Sequence, residues 1–396
     1  MPTSSEPGAP PQAGMIPLCV PEMKGNEWKY VKDCLDTNWV SSAGPYVDRF
    51  EHLTAEYVGT EFAIATASGT AALHVALLVV GVEPEDEVLV SSLSFVAPAN
   101  AIRYVGAWPV FMDATADSWQ MDPEKTVDFL NLGCDWKNGE LRNKKTGRRV
   151  RAILPVHILG HPVDIDPILD VARRFELAIV EDATESLGSR YKDEMVGNLG
   201  DIACLSYNGN KMITTGSGGM IVTNDPKLAA RAKHLTTQAK TDPIEYDHDE
   251  IGYNYRLSNI HAAMGCAQME VLDSHIAAKL RIAGRYAERL GQVEGIRVSS
   301  ELEWAKNVYW LYTILIDSDT YGLDSRQLMK KLEELGVQTR PLWKPLNELP
   351  PYRTCQSYQV EVTPALYKTG LSLPCSVGLS QDDQERVIVA IERARR

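Results

Sequence analysis

The feature that most constrains this chain is an alternation of strand-like and helix-like runs between about residues 45 and 255. Phe62–Ala65 reads as a short strand, and SGTAALHVALLVVGV after it has helical spacing. EVLVSS (Glu87–Ser92), AILPV (Ala152–Val156) and LAIVED (Leu177–Asp182) read as further strands, with PILDVARRFE as the helix between the last two. Such alternation predicts βαβ units and a mainly parallel sheet covered on both faces, with ligands collecting at the carboxyl ends of its strands. From about residue 256 the pattern changes. One long helical stretch, SNIHAAMGCAQMEVLDSHIAAKLRIAGRYAERL, leads into WLYTILID and SRQLMKKLEELGV, the pattern of a smaller α/β domain. A chain of 396 residues is longer than a single core usually serves. The expected division is a tail over 1–15, a large domain over 16–255 and a small domain over 256–396, with the N-terminal segment free to pack on the small domain.

Charge and cysteine narrow the function. A net charge of −13 argues against nucleic acid or an anionic membrane as partner. Seven scattered cysteines without CxxC spacing fit neither a disulfide framework nor a zinc site, and suggest a reducing compartment. MPTSSEPGAPPQAG is proline-rich without an apolar h-region, so a disordered tail is expected rather than a signal peptide. The longest apolar stretch, Ala71–Val82, is too short to cross a bilayer. The expectation is a cytoplasmic protein. The basic stretch DWKNGELRNKKTGRRV reads as an insertion with hairpin turns at Asn-Gly and Thr-Gly, either a solvated excursion or a lid over an anionic substrate.

Within SYNGNKMITTGSGGM, Lys211 is the only charged residue between Asp201 and Asp225, and four of its neighbours are glycines. A buried amine is driven toward the neutral, nucleophilic form that Schiff-base chemistry uses; a snorkelling or ion-paired lysine is the alternative. Glu181 and Asp182 end an apolar strand, where an acid either faces the ligand crevice or caps a following helix. ASGTAAL places small residues at a helix start, where backbone N–H groups suit a phosphate. Neither a P-loop nor a dinucleotide fingerprint is present, because the strand-like MIVTN follows Gly218 and Gly219. His157 and His161 are interrupted by Gly160 and followed by Pro162, which speaks against a helical metal site. Together, an amine, a strand-terminal acid and a phosphate-friendly helix start are the three groups that pyridoxal 5′-phosphate (PLP) needs.

With these pieces in order, the chain resembles the DegT/DnrJ/EryC1/StrS sugar-nucleotide aminotransferases, a branch of the fold-type I PLP enzymes. The resemblance runs from about Ile16 to the C-terminus through VSSAGPYVDRFE, SGTAAL, SFVAPANAI, PVHILGHPVDIDPI, EDATESLGS, SYNGNK, GYNYRLSNIHAAMGCAQ and LSLPCSVGLS. It implies a seven-stranded-type, mainly parallel sheet. It implies that Lys211 joins the cofactor aldehyde and that Asp182 pairs with the pyridine nitrogen. Gly69, Thr70 and Ser206 would hold the phosphate, and Phe95 would stack on the ring. Asn254 would reach the phosphate from a neighbouring subunit, making the active unit a homodimer with shared sites. Asn208 and Asn210 stand near the lysine where many members carry a histidine, and Glu185 where many carry Gln. Those departures, with TTQAKTDP and NKKTGRR, resemble the legionaminic-acid and bacillosamine subgroup that aminates C4 of UDP-linked 4-keto-6-deoxy-N-acetylglucosamine, with L-glutamate as donor. Glu185 would then touch the cofactor O3′ edge or the sugar, and Arg340 the anionic part of the substrate. Amination of another dTDP- or GDP-linked keto sugar, at C3 or C4, is the alternative. A family sugar dehydratase would carry histidine in place of Lys211.

Overall fold

Seven strands form the body of the main sheet: β1 (Phe62–Thr66), β2 (Glu87–Ser91), β3 (Trp108–Met112), β4 (Val150–Leu154), β5 (Ala178–Asp182), β6 (Ile202–Ser206) and β7 (Gly219–Thr223). They are seen in a computed structural model that describes residues 14–242 and 244–395. Residues 1–13 of the expected tail lie outside the described residues. The spatial order is β1-β7-β6-β5-β4-β2-β3, and only β7 runs antiparallel to its neighbours. The fold is therefore the α/β architecture expected, with Ser357–Tyr358 adding a two-residue edge parallel to β3. β2 is buried along its whole length, as a strand covered on both faces must be. The helix Gly69–Val79 is apolar nearly all round, and its Ala72, Leu73, Val75, Ala76 and Leu77 are buried.

The helical run expected as one stretch is two helices, Asn259–Met269 and Leu272–Leu290. Val271 leaves helical geometry between them (φ −115°, ψ 2°). The first helix packs against Glu27–Asp36 and Pro45–Val58. Gly265 is required there, since a Cβ would stand 2.6 Å from the Phe50 ring. The second borders an antiparallel sheet of four strands in the order Ile296–Val298, Tyr312–Ile316, Gly370–Leu373 and Arg340–Pro341. The N-terminal segment docks on this sheet: Ile16 bridges Val337, and the Leu18 N–H donates to Gln338 Oε1 at 3.0 Å.

Asp113, fully buried just after β3, joins the two parts of the chain. Its carboxylate accepts the N–H groups of Glu361, Val362 and Thr363, the Thr363 hydroxyl, and Lys125 Nζ at 2.7 Å. Burial alone would raise this carboxyl, but Lys125 and the three amides outweigh it and bring it down to about 2. A depressed folded value means stability present above the ordinary carboxylate range and lost as pH falls toward 2. Asp113→Ala should destabilise the protein by about 3–5 kcal/mol, read from the shift in urea midpoint at pH 7. A change below the order of 0.5 kcal/mol would remove Asp113 from this role.

The basic stretch is a hairpin of Cys134–Lys137 with Glu140–Asn143, turning at Asn138 and Gly139 with both φ values positive (54° and 79°). It sits at the amino ends of β2 and β4, where Asn143 and Thr146 bond Glu87, and Arg149 pairs with Asp86. The lid reading fails for its own chain: the hairpin lies at the opposite end of the strands from the crevice, and Arg148, Arg149 and Lys144 pair with nearby acids. Among the described residues no helix is long and apolar enough to cross a membrane.

Candidate active site

At the carboxyl ends of the central strands lies a cavity of about 470 Å³. Gly69, Thr70, Ser206 and Phe95 line it, as do Asp182, Glu185 and Lys211. Arg340 joins them from the small sheet. The chain thus brings together every sequence-predicted residue except Asn254, which lies between Tyr253 and Tyr255 and bridges Thr237, away from the cavity lining.

Strand alternation separates the two acids of β5. Glu181 turns to one face and is consumed structurally. It accepts the N–H groups of Gly197, Leu199 and Gly200 at 2.7–3.0 Å and lies 3.1 Å from His157 Nε2. Burial opposes its charge, but His157 and the amides hold its carboxyl below the usual range. Asp182 turns into the cavity at 2 % exposure. No helix begins after it, so the capping alternative falls; it accepts the Thr184 N–H at 3.1 Å. Burial pushes its carboxyl up, partly offset by Thr184 and by the positive charge of Lys211.

Lys211 lies in a turn after β6, its N–H bonded to Asn208 O. Its side chain is 13 % exposed, and Nζ stands 3.7 Å from Glu185 Oε1. Nζ also lies 3.9 Å from the centroid of the Trp310 ring, which itself stacks nearly parallel (7°) on Trp343. These two indoles wall the cavity, and sequence reading missed them; the only signal was the tryptophan opening WLYTILID. Trp310 is held by its Nε1–H, which donates to Asn210 O at 2.6 Å.

Glu185, 5 % exposed, accepts the Leu159 N–H at 2.8 Å. Burial pushes its carboxyl up to about 7, against the pull of Lys211 and of that N–H. A folded value raised above the ordinary 4.5 means that the folded state holds the proton longer. Stability is therefore full at low pH and falls as pH rises through about 7. Relative to wild-type apoprotein, Glu185→Gln should gain about 2.5 kcal/mol between pH 5 and pH 8, measured by urea unfolding. Parallel pH profiles for the two proteins would show that Glu185 does not titrate in this window.

Another part of the wall is the start of a helix. Ser68 caps the helix Gly69–Val79 by accepting the Ala71 N–H. The Gly69 and Thr70 N–H groups, in the first turn, have no intrahelical acceptor. Gly69 is necessary for the cradle: a Cβ would sit 2.9 Å from that of Ser206. Gly219 likewise could carry no Cβ, which would meet the Ser68 carbonyl carbon at 2.5 Å. Arg340 donates only to the Thr339 carbonyl, and among the described residues no carboxylate pairs with it.

The DegT/DnrJ/EryC1/StrS aminotransferase family model matches residues 21–392. The chain belongs to that family. It is 39 % identical to the GDP-perosamine synthase of Caulobacter vibrioides, over 96 % of this chain and 98 % of that protein. It is 37 % identical to the GDP-perosamine synthase of Escherichia coli O157:H7, over 93 % of this chain and 95 % of that one. A DegT DnrJ EryC1 StrS aminotransferase from Brucella abortus superposes with a TM-score of 0.85 at 29 % identity, covering 93 % of this chain and 95 % of the other. The protein is accordingly a PLP-dependent sugar aminotransferase of this family. Its cavity fits the cofactor. One amine, Lys211, and two buried acids, Asp182 and Glu185, line it, a flat aromatic side chain, Phe95, stands 55 % exposed in its wall, and the helix start at Gly69 offers N–H groups without an intrahelical acceptor.

Proposed function

We propose that this enzyme moves the amino group of L-glutamate to C4 of a nucleotide-linked 4-keto-6-deoxyhexose, working as a homodimer. The observation that carries the reading is the opening of Lys211 and Asp182 into one cavity that is also lined by Arg340, which pairs with no carboxylate among the described residues. Bound PLP supplies an electron sink and a carrier for nitrogen between the two substrates. Lys211 Nζ fixes the cofactor and then carries the proton between substrate carbon and cofactor carbon. Asp182 holds the positive charge of the pyridine nitrogen in a water-poor setting, where a fixed carboxylate acts strongly. Gly69, Thr70 and Ser206 bind the phosphate, with Asn254 arriving from a second copy of the chain. Phe95 and the Trp310–Trp343 pair exclude water from the two sides, and Arg340 binds a carboxylate or diphosphate.

Among acceptors we put a GDP-linked 4-keto-6-deoxyhexose first, supported by relatives named GDP-perosamine synthase at 39 % and 37 % identity. Glu185 carries a second reading, the UDP-linked 4-keto-6-deoxy-N-acetylglucosamine expected from the sequence, because its carboxyl reaches the cavity where it could bond an acetamido N–H. To test both, PLP-loaded enzyme is aminated with L-glutamate, freed of excess donor and given each keto sugar in turn. Stoichiometric 4-amino sugar from the GDP substrate is the expected result. Turnover of the UDP sugar alone would reverse the nucleotide assignment, and turnover of neither would sink amination at C4.

A further inference from the structure

Behind the Trp310 side of the cavity lies a buried lysine that the proposed chemistry does not use. Lys279, on the helix Leu272–Leu290, is 2 % exposed. Its ammonium donates to Trp310 O at 2.8 Å and stands 3.6 Å from both Cys19 Sγ and Cys375 Sγ. Among the described residues no carboxylate pairs with it. A buried ammonium needs a counter-charge, and only a thiolate is at hand. The two cysteines lie on neighbouring extended segments, with the Cys375 N–H bonded to Leu18 O at 2.8 Å and the Val20 N–H to Ser376 Oγ at 3.0 Å. Cys375 is buried, whereas Cys19 is half-buried and follows Leu18 in the cavity wall.

We propose that Cys19 and Cys375 are a redox pair which hydrogen peroxide closes to a disulfide, with Lys279 holding the Cys375 thiolate, and that closure reversibly slows transamination. The Cys375 thiolate attacks one peroxide oxygen, the O–O bond breaks, and the departing hydroxide takes a proton to become water. Cys19 Sγ then attacks the Cys375 sulfur of that sulfenic acid. The S–S bond forms, the S–O bond breaks, and the second oxygen leaves as water with the Cys19 proton. In sum, two thiols lose two electrons and two protons while peroxide is reduced to two waters.

Electrostatics support the choice of nucleophile. Despite burial, the neighbouring Cys19 and Lys279 hold the Cys375 thiol below its usual range, while Cys19 is pushed up. Burial pushes up the thiols of Cys34, Cys134, Cys204, Cys266 and Cys355. The link to activity runs through two carbonyls. Lys279 anchors Trp310 O, and the Cys19 thiol donates to Asn210 O at 3.5 Å, beside Lys211. A disulfide removes the thiolate and that S–H donor, leaving the ammonium uncompensated beneath the indole that covers Lys211.

The test uses PLP-loaded enzyme treated with stoichiometric hydrogen peroxide. Intact mass should fall by two hydrogens, and digestion without reductant should join the Cys19 and Cys375 peptides. The L-glutamate half-reaction should slow by about tenfold and recover with dithiothreitol. Cys19→Ser, whose hydroxyl can still donate to Asn210 O, should keep the untreated rate, and Cys19→Ser and Cys375→Ser should each lose the mass change and the reversible slowing. The covalent assignment stands or falls on the peptide map even if the donor is misassigned. A gain of one oxygen less two hydrogens, joining Lys279 nitrogen to a sulfur through oxygen, would overturn the dithiol pair. So would two added oxygens on one cysteine. A disulfide that leaves the rate unchanged would overturn its regulatory role.

Discussion

Lys211→Ala should lower kcat on the order of 10⁴-fold or more, because the same amine both fixes the cofactor and moves the proton. The fold should survive. Lys211 Nζ comes no closer than 3.7 Å to Glu185 Oε1, and burial already pushes up both buried carboxyls it faces, Glu185 and Asp182, so each can take up a proton when the amine is gone. Single-turnover kinetics with L-glutamate separate this prediction from mere loss of cofactor. PLP-saturated variant should bind cofactor through the phosphate cradle yet fail to abstract the proton, and an added small amine should restore part of the rate. Wild-type turnover by the variant would remove Lys211 from the chemistry.

Asp182→Asn should be the second severe loss, on the order of 10³-fold in kcat, with the unfolding midpoint nearly unchanged. The amide is isosteric and can still accept the Thr184 N–H, the single backbone bond that the side chain makes. What it lacks is the charge to hold a protonated pyridine nitrogen. Asp182→Ala, in contrast, should lose stability as well, because the site is buried. If the Asn variant matches wild type in the L-glutamate half-reaction, Asp182 is a turn residue only.

The parts of this molecule legible in its sequence are those with a local signal. Period and length disclosed β1, β2, β4 and β5, because long apolar runs have few other uses. Asp182 and Lys211 were legible because a charge at the end of an apolar run is costly unless it has work to do. Neither signal exists for Trp310 and Trp343, whose pairing joins a strand start to a loop distant in sequence. Asp113 was silent for the same reason: its partners are backbone amides some 250 positions away. The interruption at Val271 carries no glycine or proline to announce it, and the Ser357–Tyr358 edge is too short to have a period. The basic hairpin shows the reverse case. Its turns were readable from Asn-Gly, whereas its distance from the site depends on which end of β4 it precedes.

The most direct test of the central claim is reductive trapping. PLP-loaded enzyme is treated with borohydride, digested, and the pyridoxyl group located by tandem mass spectrometry. The label should lie on the peptide containing Lys211, at one per chain, and Asp182→Asn should carry it at the same position. A label on Lys279, the one fully buried lysine among the described residues, or none on a protein that otherwise retains its fold, would contradict the assignment of the site.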